Sequence, residues 1–317
     1  MGAYFYHWPH GLMFHRFYRK GCRPVGQGSI SDVEFEAILR YVGPERILNP
    51  REWILRVKAG TLRNADVCIT FDDGLRSQFE VALPILDRLG LKAFWFVYSS
   101  ALNGSVDRNE ISSFLATSIF SSFEEFAERF EAHASLVCDT FNSGDFVEFA
   151  NKLKTNFSFY SDADIKFRYY RNFLLSKDEF KAIIDKMIGE VGLNIAELSS
   201  RLWLAEEDIR SLHRFGHVIG LHSWSHPFAL AGLSFSEQDA EYKNNYQHLS
   251  ALTGSSPESM SHPLNSYSEK TLAILHKLKI ACGFCSNMSV PEGKKCVNPS
   301  NYEFGRMDST DLLKMIK

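Results

Sequence analysis

The five residues Thr70-Phe71-Asp72-Asp73-Gly74 constrain this chain more than any other stretch. They follow the apolar run Val67 to Ile69, which reads as a buried strand, so two adjacent carboxylates emerge where a strand gives way to a turn. In barrels of alternating strands and helices, the carboxyl ends of the strands converge on one face and carry the chemistry. Neighbouring carboxylates repel each other when both are ionised, and a bound cation, an arginine or a shared proton relieves the repulsion. Far along the chain a second apolar run, Val218 to Leu221, delivers His222-Ser223-Trp224-Ser225-His226, two imidazoles four positions apart. Two histidines and one aspartate would make a three-ligand divalent-metal site with an open position for water.

Strand and helix signals alternate around these motifs. Gly11 to Phe14 reads as a first strand that delivers His15 at its end. Ser31 and Glu34 form a capping box ahead of a helix over 32–42, and Asn49-Pro50 opens another that Gly60 ends. A helix from Ser77 to Leu89, with a kink expected at Pro84, leads to a strand over Leu91 to Tyr98. From 101 to 205 capped amphipathic stretches follow one another without a strand, opened by Ser122 with Glu125 and by Ser176 with Glu179, with Phe146 to Leu153 between. Alternation then resumes through strands at Val218 to Leu221, Ser259 to Ser261 and Ile280 to Phe284, and the chain closes on Phe304 to Asp308 and a short helix. The expected fold is α/β, a parallel (β/α) barrel built from residues 1–100 and 206–317, with an all-helical insertion at 101–205. An insertion after a strand's carboxyl end is expected on the active-site face, where it would choose the substrate.

Composition narrows the class of function. A net charge of -3 argues against a nucleic-acid surface, and 45% hydrophobic with 23% charged residues is ordinary for a soluble protein. No apolar run reaches the roughly 20 residues of a membrane span, and His7, His10, His15 and Arg16 break up the start of the chain where a signal peptide needs an apolar segment. A cytoplasmic location with no transmembrane segment is therefore expected. Six cysteines, scattered through a long chain, read as reduced thiols, and Cys282 with Cys285 as buried structural ones.

Thr70 to Gly74, followed by Gly216 to Pro227, resembles the first two motifs of the NodB-type polysaccharide deacetylases, carbohydrate esterase family four, the second of which reads His-Ser/Thr-x-x-His. The likeness covers roughly residues 60–100 and 205–308. It implies a distorted barrel of the NodB type, with Asp72 as catalytic base and Asp73, His222 and His226 as ligands of a divalent metal, zinc first. Where the family has Arg-x-Pro-x-Gly, this chain has Ser261-His262-Pro263-Leu264-Asn265, so the arginine that steadies the base is lost. Arg306, with Asp308 two residues on, is the candidate replacement. The family's Leu-x-His is also absent, which leaves the general acid to be found. His217 stands at the wrong end of its strand, and His133, His213, His248 and His276 sit on helices. That leaves His15 first, with His10 and His262 behind it. His10, His262 and Trp224 are the candidate substrate contacts.

The implied activity is hydrolysis of an N-acyl group, acetyl first, from an amino sugar, sugar nucleotide or glycan precursor of a surface polysaccharide such as lipopolysaccharide. Two alternatives stand beside it: a hydrolase of small linear or cyclic amides, and a binding homologue that kept the metal and lost turnover. Retention of Asp72 speaks against the last, because a metal binder has no need of a base. Nothing in the sequence bears on oligomeric state.

Overall fold

The computed structural model describes residues 7–24, 26, 28–138, 143–156, 161–291 and 293–316. Residues 1–6, part of the stretch read above for a signal peptide, lie outside them. Strand β1 (His10–Phe14) is followed by the short β2 (Phe17–Tyr18) and β3 (Ile30–Ser31), helices α1 (Asp32–Val42) and α2 (Pro50–Ala59), β4 (Val67–Phe71), α3 (Leu83–Leu89) and β5 (Phe94–Val97). Six helices come next: α4 (Arg108–Phe114), α5 (Phe123–Ala134), α6 (Ser143–Asn156), α7 (Asp162–Tyr169), α8 (Lys177–Glu190) and α9 (Ile195–Leu202). The chain ends with α10 (Glu206–Arg214), β6 (Val218–Leu221), α11 (Phe235–Thr253), β7 (Ser259–Ser261), α12 (Glu269–Lys277), β8 (Cys282–Phe284), β9 (Arg306–Asp308) and α13 (Ser309–Ile316).

Two compact units result, one of residues 1–22, 28–105 and 202–317, the other of 23–27 and 106–201. In the first, seven strands pair in the order β8-β7-β6-β5-β4-β1-β9, every neighbour parallel. The two edges are drawn together just ahead of β9, where Phe284 bridges Phe304 and Cys285 N–H donates to the Phe304 carbonyl at 2.8 Å. The sheet is thereby a nearly closed barrel of the NodB (β/α) type, as expected.

Both faces of these strands are buried, so their period of two sorts side chains between two apolar layers. Val67, Ile69 and Phe71 of β4 and Trp95 and Val97 of β5 join the layer that packs under the helices, where Phe14, Phe17, Phe35 and Phe71 form an aromatic cluster. Cys68, Phe94, Phe96, Cys282 and Phe284 join a second layer with Trp53 and Phe304. By the same alternation Gly11, Met13, His15, Thr70, Asp72, Gly220, His222, Ser259, Ser261 and Arg306 belong to the second face, the barrel interior. Buried thiols sit there too; all six cysteines are free, and burial pushes the Cys285 thiol up to about 11.

Helix α1 shows how local sequence supports this frame. Ser31 and Glu34 complete the capping box, and Phe35, Ile38, Leu39 and Val42 are buried against the sheet at about 1.5–3 kcal/mol each. Pro84 behaves otherwise than as a kink. A π turn over Gln78–Ala82 comes first, and Pro84 occupies the first turn of α3, where a missing N–H costs nothing.

The second unit has a core of its own. Phe126 and Phe130 of α5, Phe167 of α7 and Phe180 of α8 pack ring against ring, with centroids 4.8 Å apart for Phe130 and Phe167. Arg108 reaches both carboxylate oxygens of Asp185 at 2.8 and 3.2 Å. Among the described residues its regular elements are all helical.

Candidate active site

Asp72 and Asp73 follow β4, His222 follows β6, His15 follows β1 and Ser261 ends β7. Because the strands are parallel, these positions meet at one rim. One oxygen or nitrogen from each of Asp73, His222 and His226 lies within 4.8 Å of the others. Asp73 Oδ1 is 3.4 Å from His222 Nε2 and 3.5 Å from His226 Nε2. That oxygen is buried and accepts no hydrogen bond from the described residues. The ring of His222 is held from behind: its Nδ1–H faces the Ser261 carbonyl at 3.0 Å and the Ser261 hydroxyl at 2.7 Å, which directs Nε2 toward Asp73. A buried carboxylate oxygen without a hydrogen bond, beside the nitrogens of two imidazoles, is an arrangement suited to a cation. The donor set therefore fits a divalent metal.

Electrostatics agree. Burial alone would raise the Asp73 carboxyl, but the neighbouring His222, with His226 and His15, holds it far below the usual carboxylate range. Burial would likewise lower His222, yet Asp72 and Asp73 outweigh it and raise the group. Both shifts report a pocket that stabilises positive charge beside the carboxylates.

Asp72 is tied to a different partner. Arg306, on β9, donates from Nη1 to Oδ1 and from Nη2 to Oδ2, each at 2.7 Å, while its Nε donates to the Cys285 carbonyl at 2.6 Å. Burial pushes the Asp72 carboxyl up, and Arg306 and then His222 more than reverse it, so Asp72 is ionised at neutral pH. Ser261 Oγ donates to Asp72 Oδ1 at 3.2 Å, which links the carboxylate to His222. His15 Nε2 lies 3.9 Å from Asp72 Oδ2 on a partly exposed ring. The Gln78 amide, at the start of the π turn, donates to the carbonyls of His15 and Asp72 at 2.8 and 2.6 Å and so ties together the ends of β1 and β4.

Four sequence-derived candidates stand elsewhere. His10 begins β1 opposite Val67, at the amino end of the barrel, and is buried with its Nδ1 on the Trp8 carbonyl; burial lowers it to about 4. His262 is buried, stacked on Tyr267 at 4.1 Å and hydrogen-bonded through Nε2 to the Tyr302 carbonyl, and burial lowers it to about 3. In this structure it is a buried packing residue. Asp308 caps α13, accepting from Thr310 N–H at 2.8 Å. Trp224 packs T-shaped against His248 of α11, and its backbone N–H donates to Glu241 of the same helix at 2.9 Å.

Sequence reading missed Ser261, Gln78 and the aromatic wall Tyr98, whose ring centroid is 5.3 Å from that of His226. It also missed Asn245. The buried stripe of α11 runs Gln238, Tyr242, Asn245, Leu249, Leu252, and amide side chains on the buried stripe of a helix are the signal that could have found it.

Comparison with known proteins completes this picture. The polysaccharide deacetylase family model matches residues 175–283, a segment that holds His222, His226 and Ser261. No curated protein matches the chain in sequence. Among solved structures, it is similar to the Streptococcus pyogenes deacetylase PplD in complex with acetate, with a TM-score of 0.55, 15% identity and 97% of each chain covered. IcaB from Ammonifex degensii gives a TM-score of 0.55 at 14% identity over 98% of each chain. A de-N-acetylase from Aggregatibacter actinomycetemcomitans gives 0.53 at 14% identity, covering 98% of this chain and 99% of that one. At such identities the likeness is one of fold. The family model over residues 175–283 and the barrel shared with these structures together support the resemblance to the NodB-type polysaccharide deacetylases.

Proposed function

We propose that this protein is a metal-dependent hydrolase that removes the acetyl group from an N-acetylated amino sugar within a glycan or glycan precursor. The observation that carries the reading is an ionised carboxylate, Asp72, held by Arg306 next to the donor set of Asp73, His222 and His226. When bound to those three residues, Zn2+ would supply Lewis acidity, polarising the amide carbonyl and acidifying water.

The remaining work falls to the chain's own groups. Asp72, with its basicity lowered by Arg306, is a weak base, and it suits an already acidified nucleophile rather than free water. It takes one proton as the water oxygen bonds to the acetyl carbon. The C–N bond then breaks, and the leaving nitrogen must gain a proton, since an amide anion is too poor a leaving group. His15, partly exposed and 3.9 Å from Asp72, is the residue we assign to deliver it. His15 starts protonated for this step; the acetic acid formed leaves as acetate by losing its proton to solvent, the proton on Asp72 returns to His15, and the free amine is the other product.

The test is acetate release from N-acetylhexosamine oligomers, sugar nucleotides and lipid-linked sugars, before and after stripping with a chelator and with Zn2+ restored. His226→Ala is expected to lose metal and activity together, and Asp72→Asn to keep the metal and lose at least about 100-fold in turnover. Normal turnover by Asp72→Asn would overturn the assignment of the base. Release from small cyclic amides alone would move the substrate out of the glycans.

A further inference from the structure

Two residues of α11, one helical turn apart, reach the loop that carries both candidate histidine ligands. Asn245, fully buried, accepts the His222 N–H on Oδ1 at 3.0 Å, while its Nδ2 donates to the Val97 carbonyl and the Ser99 hydroxyl at 3.0 and 2.7 Å. Glu241 accepts three hydrogen bonds: the N–H groups of Trp224 and Ser225 on Oε2 at 2.9 and 2.8 Å, and the Ser225 hydroxyl on Oε1 at 2.6 Å. Within the same loop, His226 N–H donates to Ser223 Oγ at 3.1 Å.

The loop needs this support because its backbone is unfavourable. Ser223 and His226 have φ of 63° and 52°, the left-handed region that side chains other than glycine rarely adopt. Such residues persist only where the surroundings over-determine them. A relaxed loop would swing the His226 ring, because its direction depends on that φ. Since the clamp contributes no atom to the donor set, it acts through the two histidines and not on a metal or substrate.

We infer that Glu241 and Asn245 are positioning residues that hold the His222–His226 loop in its metal-binding geometry and so set the affinity of the site for a divalent cation. The inference rests on the metal reading above and goes beyond it, because it places control of affinity on α11, outside the ligands.

The experiment titrates Zn2+ alone into the stripped full-length protein in competition with a chromophoric chelator, and records the visible spectrum with Co2+, which reports ligand geometry. Glu241→Gln and Ser225→Ala, which removes only the hydroxyl bond to Glu241, are compared with Lys243→Ala, an exposed residue of the same helix. Glu241→Gln is expected to weaken Zn2+ binding about 10- to 100-fold and to change the Co2+ spectrum, Ser225→Ala to do so less, and Lys243→Ala to do neither, with far-UV circular dichroism unchanged throughout. Should Glu241→Gln fail to fold, Ser225→Ala decides alone. Wild-type affinity and spectrum in both clamp variants would overturn the inference while leaving the metal site standing. A wild-type protein that binds no Zn2+ would instead remove the metal reading itself.

Discussion

Arg306 grips Asp72 with two parallel hydrogen bonds, one from each terminal nitrogen to a different carboxylate oxygen, both 2.7 Å long. The pair spans three strands, because β1 lies between β9 and β4 and the guanidinium stem passes over Gly11 of that middle strand. Both side chains are almost wholly buried, with Arg306 at 1% and Asp72 at 2% exposure. Such a pair is costly to break from one side, since the partner left behind is an uncompensated buried charge.

Replacement of the arginine is therefore expected to damage stability and chemistry together. Arg306→Met should destabilise the fold by about 3–5 kcal/mol, the cost of orphaning a buried charge. Arg306→Lys should keep the charge, lose the two-pronged geometry, and turn over at least about 10-fold more slowly with milder loss of stability. Urea unfolding and acetate release measure the two effects. Wild-type turnover in Arg306→Lys would show that charge alone suffices.

Gly11→Ala is expected to act on the same pair from below. A methyl group on Gly11 would stand 2.9 Å from Arg306 Cγ and 3.2 Å from both Arg306 Cδ and Thr70 Cγ2. Overpacking of this kind costs about 1–3 kcal/mol. Relief by displacement of the guanidinium from Asp72 should lower turnover while Zn2+ content is kept. A variant with unchanged stability and turnover would mean that the arginine stem shifts without moving its head.

For His15→Ala the expectation is selective. Turnover should drop by about 100-fold or more, the usual worth of a general acid, with metal content and melting temperature near wild type. The ring is partly exposed at a strand end, so its removal leaves no large cavity. A fall of less than about threefold would place the acid elsewhere.

At the opposite end of the barrel, Asp66 predicts the acid limb of stability. Burial would raise its carboxyl, but the Arg63 N–H, Arg56 and Arg63 outweigh that and hold it below its ordinary 3.8. A carboxyl depressed in the folded state binds fewer protons there than in the unfolded chain. Its stabilisation is thus complete above the unfolded value and is lost as pH falls through the folded one. Asp66→Asn should cost about 1–3 kcal/mol at pH 7 and progressively less below about pH 4. Urea titrations at both pH values check this, and a constant difference would contradict it.

What the sequence by itself determined is the local part: the strand before Asp72, the strand before His222, the capped helices, and the pairing of those two motifs. Each is written within a few consecutive residues, as apolar runs, capping boxes and stopping glycines, so it survives without knowledge of the fold. Arg306 was also within reach, because the family arginine was missing and Arg306 is the one arginine after Arg214. Strand register decided the rest. His10 and His15 flank one strand, yet only His15 emerges at the rim of Asp72, because β1 runs parallel to β4 with His10 opposite Val67 and Phe14 opposite Phe71. The alternation of faces separates Arg306 from Met307 and puts Ser261 with His222, which no count of motif residues could show. The clamps of Gln78, Glu241 and Asn245 depend on helices laid against strand ends, contacts between residues up to 148 positions apart. Chain spacing carries no information about such distances; only the closing of the barrel and the seating of its helices bring those atoms within a hydrogen bond.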